Sequence, residues 1–254
     1  MHFVENSLLG QAHQHRLTSL SYRPPRSNSI KLKFIFDFAS PWSYMGFTQM
    51  KRIALKYNIF IEFVPVLLGG IIKTFTPNYL TKPRSAASRN YAFKDLKDWQ
   101  KWHDVPFTFN SKFPLRSIQL LRLALVFERR FKLQNISVQD GDEKPLWNID
   151  PDIIQQLFNP CWATNKNIAD PKEIMKVLLN CNVNVDILRK TNDKDIKDKL
   201  RKNTEWAIQN GIFGVPTYNI STQPKVFIWG QDRLNIVEDM ICGWRVPTNV
   251  TAKL

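Results

Sequence analysis

The stretch Phe34-Ile35-Phe36-Asp37-Phe38-Ala39-Ser40-Pro41-Trp42-Ser43-Tyr44 constrains the fold of this chain more than any other. Its first half is a run of large apolar side chains of strand length, which predicts a strand over residues 33–39. At Ser40-Pro41 the chain must turn into a helix. Proline suits the first helical position, where a missing N–H costs nothing. Serine before it sits at the N-cap, its hydroxyl beside the helix's free backbone donors. On its own, the pair is also how any capped helix begins.

The helix after Pro41 is predicted to run over 41–56, with Met45, Ile53 and Leu55 on its apolar positions and Lys51, Arg52 and Lys56 outside. Residues 59–66 partly alternate and then become continuously apolar, as a buried parallel strand does. From about Gly69 to Asn210 the pattern is mainly helical. Helices are expected over 91–103, 117–131 (Ser117 as N-cap), 151–158, 171–179 and 186–210, with a polar loop over 133–148. Pro151 and Pro171 lie at helix starts, where they belong. Two short strands follow, 217–220 and 225–229, joined by the polar turn Ser221 to Pro224, an antiparallel hairpin. Asp232 then caps a last helix ending near Ile241.

The chain has 254 residues, 43% of them hydrophobic, enough for a sizeable core. No apolar run approaches the roughly 18 residues of a membrane span. Cys161, Cys181 and Cys242 are scattered and odd in number, which argues for a reducing compartment. The four histidines show no metal-binding spacing, and no metal site is expected. The net charge is +14. The basic residues are dispersed, and Asp193-Lys194-Asp195-Ile196-Lys197-Asp198-Lys199 alternates in sign like a solvated helix face. That distribution argues against a nucleic-acid partner, while the charge would still draw anionic small molecules.

Two further segments lie downstream. Gly211-Ile212-Phe213-Gly214-Val215-Pro216-Thr217-Tyr218 resembles the cis-proline loop of thioredoxin-fold proteins, and Phe227-Ile228-Trp229-Gly230-Gln231-Asp232-Arg233-Leu234 follows it. With Phe113-Pro114-Leu115-Arg116-Ser117 between, these segments come in the order of the DsbA-like branch that holds kappa-class glutathione transferases and 2-hydroxychromene-2-carboxylate isomerases. The resemblance runs from about Lys31 to Pro247. It implies an α/β, thioredoxin-like fold with a large inserted all-helical lobe. The thioredoxin-like part would be residues 31–68 and 211–247, the insert 69–210, with an extension over 1–30 and a tail over 248–254.

A redox enzyme of this fold carries a cysteine where this chain has Ser40, and Ser43 is not a cysteine either. The resemblance therefore implies that Ser40 holds the thiolate of glutathione, a co-substrate, against the helix N-terminus. It also implies that Val215-Pro216 is cis and that the Val215 backbone pairs with the cysteinyl unit. Gln231 and Asp232 would hold the γ-glutamyl end, Gln231 standing where the transferases have serine. Arg89 would reach the glycyl carboxylate, and Asn78 would match a glutathione-binding asparagine of the family that follows the element Gly70-Ile71-Ile72-Lys73. Arg116 replaces the asparagine of many isomerases, which favours the transferase. The expected activity is a kappa-type glutathione transferase acting on a small electrophile. The alternatives are the isomerase and a non-catalytic glutathione-binding protein. Trp42 and Trp162 read as packing aromatics, and the family's habit implies a homodimer.

Residues 1–30 hold one acid, Glu5, with Arg16, Arg23 and Arg26 among serines; they read equally as a mitochondrial presequence or an unstructured extension. Ala252-Lys253-Leu254 resembles a receptor-read peroxisomal address. A peroxisomal location is expected, with mitochondrial or cytoplasmic as alternatives.

Overall fold

The computed structural model describes residues 30–77, 85–134 and 145–246. Strand β1 (Lys31–Phe36) carries Leu32, Phe34, Ile35 and Phe36 fully buried, so both faces of the strand are covered. It ends three residues earlier than its apolar run predicts. Asp37 is the cause: one carboxylate oxygen accepts the N–H of Ala39 at 2.9 Å, and the other that of Leu68 at 2.8 Å. The side chain thus supplies a local acceptor that competes with the ladder and starts a turn.

Beyond the turn, the predicted single helix is two: α1 (Pro41–Phe47) and α2 (Met50–Tyr57). The break at Thr48-Gln49 is a tightening of the last turn. The Gln49 N–H reaches back to Gly46 O at 3.2 Å, and the Thr48 hydroxyl donates to Met45 O at 2.7 Å. Strand β2 (Phe60–Pro65) returns parallel to β1, with Phe34 opposite Phe63.

Among the described residues between β2 and residue 209 the elements are helices: α3 (Leu68–Phe75), α4 (Ala86–His103), α5 (Ile118–Gln134), α6 (Pro151–Trp162), α7 (Pro171–Asn180), α8 (Ile187–Lys190) and α9 (Lys194–Gln209). Ser117 immediately precedes α5, its carbonyl accepting the Leu121 N–H at 2.9 Å, and its hydroxyl bonds the Asp37 carboxylate. The helix predicted over 186–210 divides into α8 and α9. Arg129 of α5 holds the Asp193 carboxylate at 2.9 Å, and Asp193 makes no side-chain cap bond to α9. The sign-alternating run is not only a solvated face. Asp195 pairs with Arg129 at 2.8 Å and Lys199 with Glu128 at 2.6 Å, both across to α5. Helix α6 runs a turn past Phe158 and accommodates Pro160. The buried Asn110 amide donates to Cys161 O at the C-terminal end of the helix and to Lys166 O beyond it, at 2.9 Å each.

Strands β3 (Thr217–Ile220) and β4 (Phe227–Trp229) form the expected hairpin. The sheet order is β2-β1-β3-β4, with β3 antiparallel to β1. A 3₁₀ turn, Gln231–Arg233, leads into α10 (Leu234–Ile241). The core is aromatic: Phe34, Phe36, Phe38, Tyr44, Phe63 and Phe158 are buried in mutual contact. Trp162 is fully buried, and its indole N–H donates to Phe38 O at 2.8 Å. Among the described residues, no helix is long and apolar enough to cross a membrane.

Candidate functional site

Ser40 stands at the N-cap of α1 with extended backbone angles, φ −100° and ψ 116°. Its Oγ accepts the Ser43 N–H at 3.1 Å, as the local sequence requires. The same hydroxyl donates to the carbonyl of Val215, 175 residues away, at 3.2 Å. This second bond joins the first helix to the Val215-Pro216 loop, whose peptide bond is cis. A second cis bond, Phe113-Pro114, was not anticipated.

The close approach of helix and loop has a single-residue cause. A Cβ on Gly46 would lie 2.5 Å from the Tyr218 hydroxyl and 3.3 Å from Pro216 Cγ. Only glycine lets α1 settle there. Among the described residues, no hydrogen bond engages the Val215 N–H. The loop is then tied onward: Pro216 O accepts the Gly230 N–H at 3.0 Å.

Gly230 has φ 102°, in the region that favours glycine, and a Cβ there would meet Asp232 Oδ1 at 2.3 Å. The chain therefore enters a 3₁₀ turn before α10 begins, and Asp232 lies inside that turn. Its expected role as side-chain cap is corrected: it makes no cap bond and pairs with Arg233 at 3.1 Å. Gln231 is buried, 3% exposed, and its Oε1 lies 3.3 Å from His103 Nε2.

His103 comes from α4, on a stripe spaced by four residues: Asp95, Trp99, His103. Trp99 stacks on the His103 ring at 5.3 Å and 25°. Burial pushes the imidazole down from its ordinary value; the Gln231 contact opposes this and the Arg52 charge adds to it. Burial raises the Asp95 carboxyl, and the charge of Asp232 also acts upward, so the two carboxylates sense one another. These elements line a cavity of about 450 Å³ with Gln49, Arg52, Trp99, Trp102, His103, Gln231, Asp232, Leu234 and Asn235 on its walls.

Of the residues singled out by the sequence, Ser40 and Val215-Pro216 meet directly, and the Gln231-Asp232 turn joins them through Gly230. Arg89 is exposed near the start of α4 and does not line the cavity. Asn78 and Ala252-Lys253-Leu254 lie outside the described residues, as do residues 1–29. Sequence reasoning passed over Asp95, Trp99 and His103, although spacing by four within the helix expected over 91–103 was the available signal. It also passed over Asp37, a lone charge inside an apolar run. Burial raises the Asp37 carboxyl, opposed by bonds from Ala39, Ser117 and Leu68. Burial pushes the Cys161 thiol up, and Asp37 pushes it further. Cys181 and Cys242 are raised by burial too. The three cysteines are free and none is a poised thiolate. Among the described residues no group of histidine, cysteine, aspartate and glutamate could hold a metal.

A family model for the DSBA-like thioredoxin domain matches residues 31–139 and 146–241. The chain belongs to the DSBA-like thioredoxin domain family. The expected thioredoxin-like α/β fold of DsbA type is thereby borne out. Within the family, it is 28% identical to glutathione S-transferase kappa 2 of Caenorhabditis elegans over 84% of this chain and 92% of that protein. It is 23% identical to 2-hydroxychromene-2-carboxylate isomerase of Sphingobium xenophagum over 83% of this chain and 97% of that one. A solved 2-hydroxychromene-2-carboxylate isomerase superposes with a TM-score of 0.66 at 20% identity, covering 83% of this chain and 94% of that one. The homologues of this DSBA-like protein are thus kappa-class glutathione transferases and 2-hydroxychromene-2-carboxylate isomerases.

Proposed function

We propose that this protein is a kappa-type glutathione transferase. One observation carries the reading: the Ser40 hydroxyl faces the Val215 carbonyl beside a cis-proline whose preceding N–H is unengaged. A cysteinyl unit laid against Val215 adds a short strand there and delivers its sulfur to Ser40. The Ser40 O–H then turns from Val215 O to the sulfur and holds it as thiolate. The thiol proton leaves to solvent. The thiolate attacks an electrophilic carbon, a C–S bond forms, and the leaving group takes the bonding pair. Ser40 stays uncharged throughout and forms no covalent bond.

Asp232, whose charge acts on Asp95, receives the γ-glutamyl ammonium, which offsets the repulsion between the two carboxylates. Gln231 receives the neighbouring carboxylate. Arg89 is assigned to the glycyl carboxylate, and Asn78 to glutathione binding, on family resemblance alone. A homodimer and a peroxisomal location remain part of the proposal on the same ground.

The test is calorimetric titration of the protein with glutathione, followed by product analysis with a small aryl or alkyl electrophile. Saturable binding with thioether formation is expected. Binding with turnover of a chromene carboxylate and no thioether would assign the isomerase instead. Binding without either would leave a non-catalytic role, and no binding would remove the glutathione reading.

A further inference from the structure

The cavity between α4 and the Gln231–Arg233 turn also holds His103, which the preceding reading does not use. Gln231 is nine-tenths or more buried, yet its side chain has one hydrogen-bond partner among the described residues, His103. The contact is from Oε1 to Nε2 at 3.3 Å. An amide oxygen only accepts, so the imidazole donates from Nε2. Trp99 stacked on the ring fixes its plane. With Oε1 taken, the two amide hydrogens on Gln231 Nε2 have no acceptor among the described residues and turn to the cavity that Gln231 lines.

We infer that His103 is a positioning residue that fixes the Gln231 amide with its N–H groups outward, so that this turn selects the carboxylate of the γ-glutamyl unit. The inference rests on the glutathione reading. An unanchored glutamine presents either end of its amide and accepts a carboxylate or an ammonium with similar ease. Held by His103, it presents donors only. The ammonium is left to Asp232 and Asp95. The amide and the two acids thereby divide the amino-acid end of the ligand into two subsites of opposite preference. His103 touches no reacting atom, so its effect falls on binding and leaves the chemical step alone.

The test uses the full chain and three ligands: glutathione, glutaryl-cysteinyl-glycine, which keeps the carboxylate and lacks the ammonium, and 4-aminobutanoyl-cysteinyl-glycine, which keeps the ammonium and lacks the carboxylate. The variant is His103→Phe, which preserves the stack on Trp99 and removes the donor. Loss of one hydrogen bond's control over the amide predicts about a 3- to 10-fold rise in Kd for glutathione and for the glutaryl analogue. No change is expected for the aminobutanoyl analogue. KM for glutathione rises by the same factor with kcat unchanged, and His103→Gln, which restores an N–H at similar reach, recovers most of the loss. Equal losses for all three ligands would make His103 merely structural. A loss that follows the ammonium would mean the amide is held the other way round. Either result overturns the inference, as does no loss at all. If His103→Phe fails to fold, Gln231→Leu must show the same carboxylate-dependent loss, and a uniform effect there overturns it equally. Wild type that fails to bind glutathione overturns the functional reading, and the inference with it.

Discussion

Replacing Ser40 by alanine tests the thiolate assignment most directly, and the structure sets the size of the effect. A hydroxyl donating to an anionic sulfur contributes roughly 1.5–3 kcal/mol. In the ligand-free structure that hydroxyl already donates to Val215 O at 3.2 Å, a neutral bond worth roughly 0.5–1.5 kcal/mol. Only the difference, about 1–1.5 kcal/mol, bears on ionisation. Ser40→Ala is therefore expected to raise the thiol pKa of bound glutathione by about one pH unit, at about 1.4 kcal/mol per unit. The helix N-terminus survives in the variant and adds at most about 1 kcal/mol, since α1 is only seven residues long. The assay is ultraviolet thiolate absorbance of the complex against pH, for wild type, Ser40→Ala and Ser40→Thr. The alanine variant also loses an N-cap bond to Ser43, about 1 kcal/mol of stability, which chemical denaturation measures separately. Threonine keeps the hydroxyl and should titrate near wild type. If the Ser40→Ala curve superimposes on wild type while glutathione still binds, the hydroxyl does not hold the thiolate.

Four other outcomes follow from the structure. Gly46→Ala should cost about 1–3 kcal/mol because its Cβ would meet the Tyr218 hydroxyl at 2.5 Å. Tyr218→Phe should be neutral to stabilising, since that buried hydroxyl lacks a hydrogen-bond partner among the described residues, and it should relieve part of the Gly46→Ala penalty in the double variant. Additive penalties by urea denaturation would refute the contact. Burial opposes ionisation of Glu238, but bonds from Arg52, Tyr57 and Lys56 outweigh it and hold the carboxyl at about 2 against an ordinary 4.5. Its folded value lies below its unfolded one. About 2 kcal/mol, discounted for partial exposure, is thus present above pH 4.5 and lost as pH falls toward 2. Glu238→Gln should flatten that part of the stability profile; an unchanged profile would place the acid sensitivity elsewhere. Cys161, fully buried and raised by desolvation, should resist alkylation in the native protein and react only after unfolding, as peptide mapping would show.

Much of the fold was legible because its signals are local. Ser40 and Pro41 act within one turn of the helix they open, and the bond from Ser43 to Ser40 spans three residues. The hairpin from Thr217 to Trp229 needs only two apolar runs and a polar turn between them. The helix breaks were less legible. At Thr48-Gln49 the sequence pattern stays helical, and a hydroxyl reaching Met45 O tightens the turn. At Asp193 the deciding partner is Arg129, on another helix.

By itself, the sequence determined where a buried strand hands over to a capped helix, that a hydroxyl stands at that cap, and that a proline loop follows far downstream. Those are properties of neighbouring residues, and short-range sterics and hydrogen bonding suffice for them. Tertiary structure alone decided what the hydroxyl touches. Val215 O is 175 residues from Ser40, and the approach depends on one missing Cβ at Gly46. It likewise decided that Asp232 lies inside a turn and that His103 meets Gln231 across 128 residues. An acceptor for a side chain is chosen by whichever group packing brings within about 3 Å, and no spacing along the chain encodes that choice.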